Sequence, residues 1–177
     1  MKRKMVYAAL VVGVLSGLSS MGWAQSNQVS EQAKQFVHEA ARAGIAEVKL
    51  GKMATEQAES RDVQQFGQRM VTDHTKANEQ LKTIAQDKNI EVPTEMNEEH
   101  QQVAEKLAKL QGPEFDRAYI RTMVKDHEKA VELFSKEAQQ GQDADLKAFA
   151  AETLPTLQEH LNMVNELAQQ HEVSLSR

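Results

Sequence analysis

The chain has no cysteine, which excludes a disulfide framework, a thiolate metal site and a lipidated N-terminal cysteine. Any stability must therefore come from a packed core. Aromatic residues make up only 5% of the sequence, and no β-rich run punctuated by turns appears. Basic residues are in deficit, 21 Lys and Arg against 26 Asp and Glu, so the basic face that nucleic acid requires is lacking. The same balance argues against docking on anionic lipid. The longest apolar run, Met5 to Leu18, is about 14 residues, short of the ~20 that span a bilayer. Signatures of nucleophilic catalysis and phosphate binding are missing too: there is no Gly-x-Ser-x-Gly, no Gly-x-Gly-x-x-Gly and no phosphate-cradling loop. The sequence leans away from an enzyme.

What is present begins with an export signal over residues 1–24. Lys2-Arg3-Lys4 form its charged start, Met5 to Leu18 its apolar centre, and Gly22-Trp23-Ala24 a small-residue cleavage site. Cleavage after Ala24 removes three basic residues and leaves 18 Lys and Arg against 26 Asp and Glu, a net charge of −8. The expected location is the periplasm, with no stable membrane insertion. Residues 25–177 are long enough for a single domain with a full core.

Within that domain the chain writes one stretch twice. Met70-Val71-Thr72-Asp73-His74 returns 53 positions later as Met123-Val124-Lys125-Asp126-His127. Aligning 60–86 with 113–139 gives nine identities in 27 positions without a gap. At about 100° per residue, Val63, Phe66, Met70, Ala77, Leu81 and Ala85 share one face of a helix. His74 falls inside that stripe and Asp73 on its edge. Tyr119, Met123, Ala130, Phe134 and Ala138 repeat the pattern, with His127 again inside. Both histidines face a core.

Helices are expected over about 30–59, 62–88, 97–111, 113–140 and 144–171, the last bent at Pro155. Ser30 can cap the first, and Asn89 and Gly141 can end the second and fourth. Small residues at Ala43, Gly44, Ala46 and Gly51 would let another backbone approach the first helix. Two tight connections and one long one describe an all-α four-helix bundle of ferritin-like, single-crossover type, with a short extra helix in the crossover. The connection of 24 residues is expected to travel the bundle's length and return the third long helix parallel to the first, with both hairpins turning at one end. In the rival arrangement the short helix is a continuation of 113–140, broken at Pro113.

Counting from the turns places Glu47, His74, His127 and His160 near one level, roughly 20 Å or a little more from a hairpin turn. Glu47 interrupts an apolar stripe formed by Phe36, Ala40, Ala43, Leu50 and Ala54. One carboxylate and three imidazoles in a bundle core can hold a transition metal such as zinc, copper or iron. Tyr119, Asp73 and Asp126 would stand behind them, each Asp orienting a ring on another helix because it points about 100° from its neighbouring His. The competing reading is a structural network in which Glu47 bonds a core histidine and no metal binds. His38, His100 and His171 are expected at the surface, and Met53, Met70, Met96, Met123 and Met163 as core filler. A di-iron carboxylate site is disfavoured, since Val71 and Leu157 stand where Glu-x-x-His would need glutamate.

Phe36 and Glu47 carry a resemblance together with Phe66, the run Arg69-Met70-Val71-Thr72-Asp73-His74-Thr75-Lys76-Ala77-Asn78, and Phe115-Asp116-Arg117-Ala118-Tyr119. Met123, Asp126-His127, Thr153-Leu154-Pro155-Thr156-Leu157 and His160 complete it. The chain resembles the bacterial domain-of-unknown-function family 4142, over about residues 30–170. The resemblance implies a ferritin-like helical bundle exported by Gram-negative bacteria, and implies no activity. Members are often labelled outer-membrane proteins, but without a lipobox, a spanning segment or a barrel pattern the periplasm is the expected compartment. On function two readings stand: a metal-binding stress protein, or a non-enzymatic envelope protein whose Glu/His network only locks the core.

Overall fold

The structure, a computed structural model, describes residues 29–175, so the expected signal segment lies outside the described residues. Five helices form a bundle: α1 (Glu31–Gln57), α2 (Arg61–Asp87), α3 (Glu98–Leu107), α4 (Gly112–Gln140) and α5 (Ala144–Gln170). Among the described residues there is no strand. Expected and observed ends of the four long helices differ by at most two residues. α3 stops at Leu107, short of 111, and α4 begins at Gly112, whose φ is +57.

Local chemistry sets these ends. The Ser30 hydroxyl accepts from the Ala33 N–H at 3.1 Å, and the Asn97 amide oxygen from the His100 N–H at 2.8 Å. Asp143 takes the N–H groups of Asp145 and Leu146 at the start of α5. α2 ends because Asn89 turns left-handed (φ 55), which lets the Ile90 N–H reach the Ala85 carbonyl at 2.8 Å. α5 continues as helix through Pro155. The carbonyl its ring leaves unpaired belongs to Ala151, on the exposed face where water can serve it.

Two contacts define the topology. The buried Asp116 carboxylate, at the start of α4, accepts from the Glu59 and Ser60 N–H groups at 3.1 and 2.8 Å, in the α1–α2 turn. Lys88, at the end of α2, bonds Asp143 and Asp145 in the α4–α5 turn at 2.8 and 2.7 Å. The two hairpins therefore turn at opposite ends, and residues 88–111 carry the chain back along the bundle. α4 consequently runs antiparallel to α1, correcting the expectation that it returns parallel with both turns at one end. His127 lies near the middle of α4, so its height is almost the same counted from either end, and it stays level with Glu47 and His74.

α1 packs on α2 and α4, and α5 on α4 and α2, so α2 and α4 occupy opposite corners and run parallel. These are the two copies of the sequence repeat. An approximate twofold along the bundle axis relates them, which brings His74 and His127 toward the axis from opposite sides.

The apolar core is split in two along this axis. One cluster, with Leu50, Phe66, Met70, Phe115, Tyr119 and Met123, fills the end nearest the α1–α2 turn. The other, with Phe36, Leu81, Phe134, Leu146, Phe149 and Leu157, fills the opposite end. Met70 and Met123 are wholly buried packing residues, as expected. A polar layer separates the two clusters.

Ser60 makes no side-chain cap bond of its own, so α2 depends on Asp116 from another helix. Asp116→Ala should cost about 1–3 kcal/mol by removing the carboxylate bonds to two part-buried N–H groups of the turn. Urea denaturation reads this directly, and an unchanged midpoint would show that the turn is held otherwise.

Candidate metal centre

The polar layer is built from one residue on each long helix: Glu47, His74, His127 and His160, all buried. His74 and His127 ring centroids lie 5.7 Å apart, His74 and His160 5.5 Å, and His127 and His160 5.4 Å, nearly an equilateral triangle. One ring nitrogen from each of the three lies within 4.8 Å of the other two. Phe66 packs edge-on against His127 and His160 at 6.3 and 6.5 Å, closing one side with apolar surface.

Two of the rings have their tautomers set from outside the triangle. His127 donates from Nδ1 to the Met123 carbonyl at 2.9 Å, and His160 donates from Nε2 to Asp73 Oδ2 at 2.9 Å. Their other nitrogens, His127 Nε2 and His160 Nδ1, are buried lone pairs without a hydrogen-bond partner, and His74 Nε2 is unpartnered too. Burial holds all three imidazoles neutral. It lowers His127 to about 4, with the neighbouring His160 adding to the shift and the Met123 carbonyl opposing it. It takes His74 well below its usual value, reinforced by His127 and His160. It lowers His160 as well, against the opposing pull of Asp73.

Glu47 stands outside this triangle. Its Oε1 lies 3.9 Å from His127 Nδ1, the nitrogen already donating to Met123, and its Oε2 has no partner. Burial, followed by repulsion from Asp126, pushes its carboxyl well above the usual range. A cavity of about 30 Å³, room for a single water, is lined by Glu47, His74 and Asp126 among others. The Tyr119 hydroxyl is buried and unpartnered, its ionisation suppressed by burial and by Glu47.

The two aspartates serve other helices, but not alike. Asp73 on α2 bonds His160 on α5 and so backs the triangle. Asp126 on α4 lies 3.4 Å from His100 on α3 and does not touch the three rings. His100 is buried, contrary to its expected place at the surface. With Ala104 and Leu107 it forms the inner stripe of α3 at positions i, i+4 and i+7, a spacing that the sequence already displays. His38 is bonded to the Glu91 carbonyl at 3.0 Å, and His171 caps the end of α5. Sequence reasoning missed Arg69, which grips Asp73 through Nε and reaches Glu159 through its terminal nitrogen at 3.2 Å. Its i, i+4 spacing from Asp73 was the available signal.

Fold and site together define a class: a helical bundle whose core is interrupted at mid-length by three imidazoles and a carboxylate. The family described as "Domain of unknown function (DUF4142)" matches residues 18–167, and the chain belongs to it. No curated protein sequence matches the chain. In structure it is similar to a DUF305 fragment from Deinococcus radiodurans, with TM-score 0.71 and 14% identity, covering 80% of this chain and 97% of that one. It is also similar to a DUF305 protein from Streptomyces coelicolor whose description supposes it to be secreted. There the TM-score is 0.70 at 10% identity, covering 82% of this chain and 96% of that one. At such identities the likeness concerns the fold. No helix among the described residues is long and apolar enough to cross a membrane.

Proposed function

We propose that the protein is an exported, ferritin-like bundle that binds one transition-metal ion through His74, His127 and His160 and serves metal handling or stress protection in the periplasm. The observation that carries this reading is the set of three buried, neutral imidazoles with one ring nitrogen each gathered within 4.8 Å. Each ring keeps a buried nitrogen without a partner, and leaving such an atom unsatisfied costs about 1–3 kcal/mol. A structural network would spend those nitrogens on each other or on a carboxylate. A water has only two protons to offer, whereas a cation accepts three lone pairs at once.

The surroundings fit metal ligation further. A ligating imidazole commonly donates its second N–H to a carboxylate or a carbonyl, as His160 does to Asp73 and His127 to Met123. With nitrogen donors only and no thiolate, zinc, copper and iron are the apt ions. Ligand bonds near 2.1 Å would draw the three nitrogens to about 3.4 Å from one another, within reach of small ring rotations. A bound ion would supply a positive centre between the two apolar clusters, and Glu47, one shell out beside His127, would offer it a compensating carboxylate. The long return of residues 88–111 between two tight hairpins supports the single-crossover, ferritin-like reading. The charged, apolar and small-residue succession of residues 1–24 supports export, with 25–177 as one domain.

The test uses tag-free protein recovered from its own periplasm. Elemental analysis should find about one zinc, copper or iron per chain, and restoring that ion to stripped protein should raise Tm. At a thousandfold excess over Kd, linkage gives about 4 kcal/mol of added stability. His127→Ala and His160→Ala should abolish both signals. Metal-free protein whose Tm none of the three ions moves would overturn the reading.

A further inference from the structure

His127 and His160 are sealed from solvent, each 1% exposed, and His74 is nearly so at 8%, so an ion needs a way in. Three outside polar groups stand against the rings. The Met123 carbonyl and Glu47 are on the buried side, Glu47 being 5% exposed. The third is Asp73, whose side chain is 24% exposed while its Oδ2 bonds His160. Asp73 is thus a carboxylate with one edge in water and the other on a buried ring. Over it lies Arg69, forked between Asp73 and Glu159, whose side chains are 40% and 56% exposed for Arg69 and Glu159. Asp73 Oδ2 accepts from Arg69 and from His160 together.

We propose that Asp73 and Glu159 form the entry site through which a divalent cation reaches His160, and that Arg69 is its gate. The proposal rests on the metal-binding reading and names the route that serves it. Two carboxylates facing solvent attract a cation, and in the closed state the guanidinium occupies the place between them. Exposed ion pairs of this kind are weak in water, so the fork opens on the thermal scale without unfolding the helices. When Arg69 swings out, an incoming ion meets Asp73 and Glu159 first. Transfer inward needs Asp73 to release the ion and the His160 ring to turn, since His160 presents its Nε2–H to Asp73 and keeps its unpartnered Nδ1 on the other side of the ring. The return of Arg69 then closes the mouth with a like charge.

Stopped-flow mixing of the tag-free protein with Co²⁺, followed by ligand-field absorbance, separates rate from affinity. Arg69→Gln should raise the association rate about tenfold, the lower end of the range for electrostatic steering, and the dissociation rate alongside it. The equilibrium Kd should move less than threefold. Glu159→Gln should slow association several-fold. Arg69→Lys keeps the charge but cannot fork to both carboxylates, so it should fall between wild type and Arg69→Gln. Lys129→Gln removes an equal charge from the α3–α4 face and should leave the rate unchanged. Co²⁺ binding with equal rates in the Arg69, Glu159 and Lys129 variants would overturn the gate and leave the metal centre standing. A rate gain in Lys129→Gln equal to that in Arg69→Gln would reduce the effect to net charge and overturn it as well. Absence of any Co²⁺ binding to wild type would overturn both readings.

Discussion

Between pH 6.5 and pH 4 the apo protein should lose much of its stability, with His127 alone accounting for about 3 kcal/mol. The folded state holds this ring at about 4, whereas the unfolded chain titrates near 6.5, and each unit corresponds to about 1.36 kcal/mol. The unfolded chain therefore binds more protons in that window, and stability falls as pH falls. His74 and His160, both lowered chiefly by burial, act in the same direction. Glu47 acts oppositely. Its carboxyl is raised well above normal, so ionising it weighs against the fold at high pH and that penalty fades on acidification. Glu47→Gln should then stabilise the protein near neutrality and steepen the acid loss. Urea midpoints at pH 7.5, 6 and 4.5 would measure the slope. A flat profile in wild type would mean that the imidazoles are not held neutral. A bound ion would steepen the dependence further, since ligating imidazoles must stay deprotonated.

Gly67→Ala should be the most damaging of the conservative substitutions, costing about 1–3 kcal/mol, the ordinary toll of overpacking. A Cβ on Gly67 would stand 2.7 Å from the Ala54 Cβ and 2.8 Å from the Gly51 carbonyl. Neither atom is the free end of a flexible chain, so the helices themselves must part. Gly51→Ala meets the same contact from the other side, 2.7 Å from the Gly67 carbonyl. The two substitutions should be non-additive, because the first separation makes room for the second. His74 lies two turns beyond Gly67 on the same face of α2, so separating α1 from α2 also draws its ring off the triangle. Metal affinity should therefore fall together with Tm. A destabilised Gly67→Ala protein with unaltered affinity would show that the centre tolerates movement of α2.

Much of this molecule was legible in its sequence because the signals were local. The stripe through Val63, Phe66, Met70 and Leu81 marked the buried face of α2, and Ser30 marked the start of α1. The inward placing of His74 and His127 followed from helical periodicity alone. Two things were hidden because they are long-range. The end at which α4–α5 turns depends on Asp116 and Lys88, whose partners lie far away in sequence, 57 residues for both Asp116 with Glu59 and Lys88 with Asp145. Height along the bundle could not reveal it, since His127 sits midway in α4. The place of Glu47 was hidden for another reason. Periodicity puts it on the correct face, but which nitrogen it meets depends on ring rotations fixed by Met123 and Asp73.

The repeat has a final consequence for the centre. Two of its imidazoles, His74 and His127, are equivalent members of a duplicated pattern and approach from opposite corners of a square frame. The other two corners, α5 and α1, are filled unlike: α5 supplies His160, and α1 supplies Glu47 set back behind His127. An even-sided frame thus carries an odd set of donors, and the imbalance falls wholly on α1. The number of groups that close around the centre is decided at residue 47, while the repeated helices α2 and α4 supply their opposite pair alike.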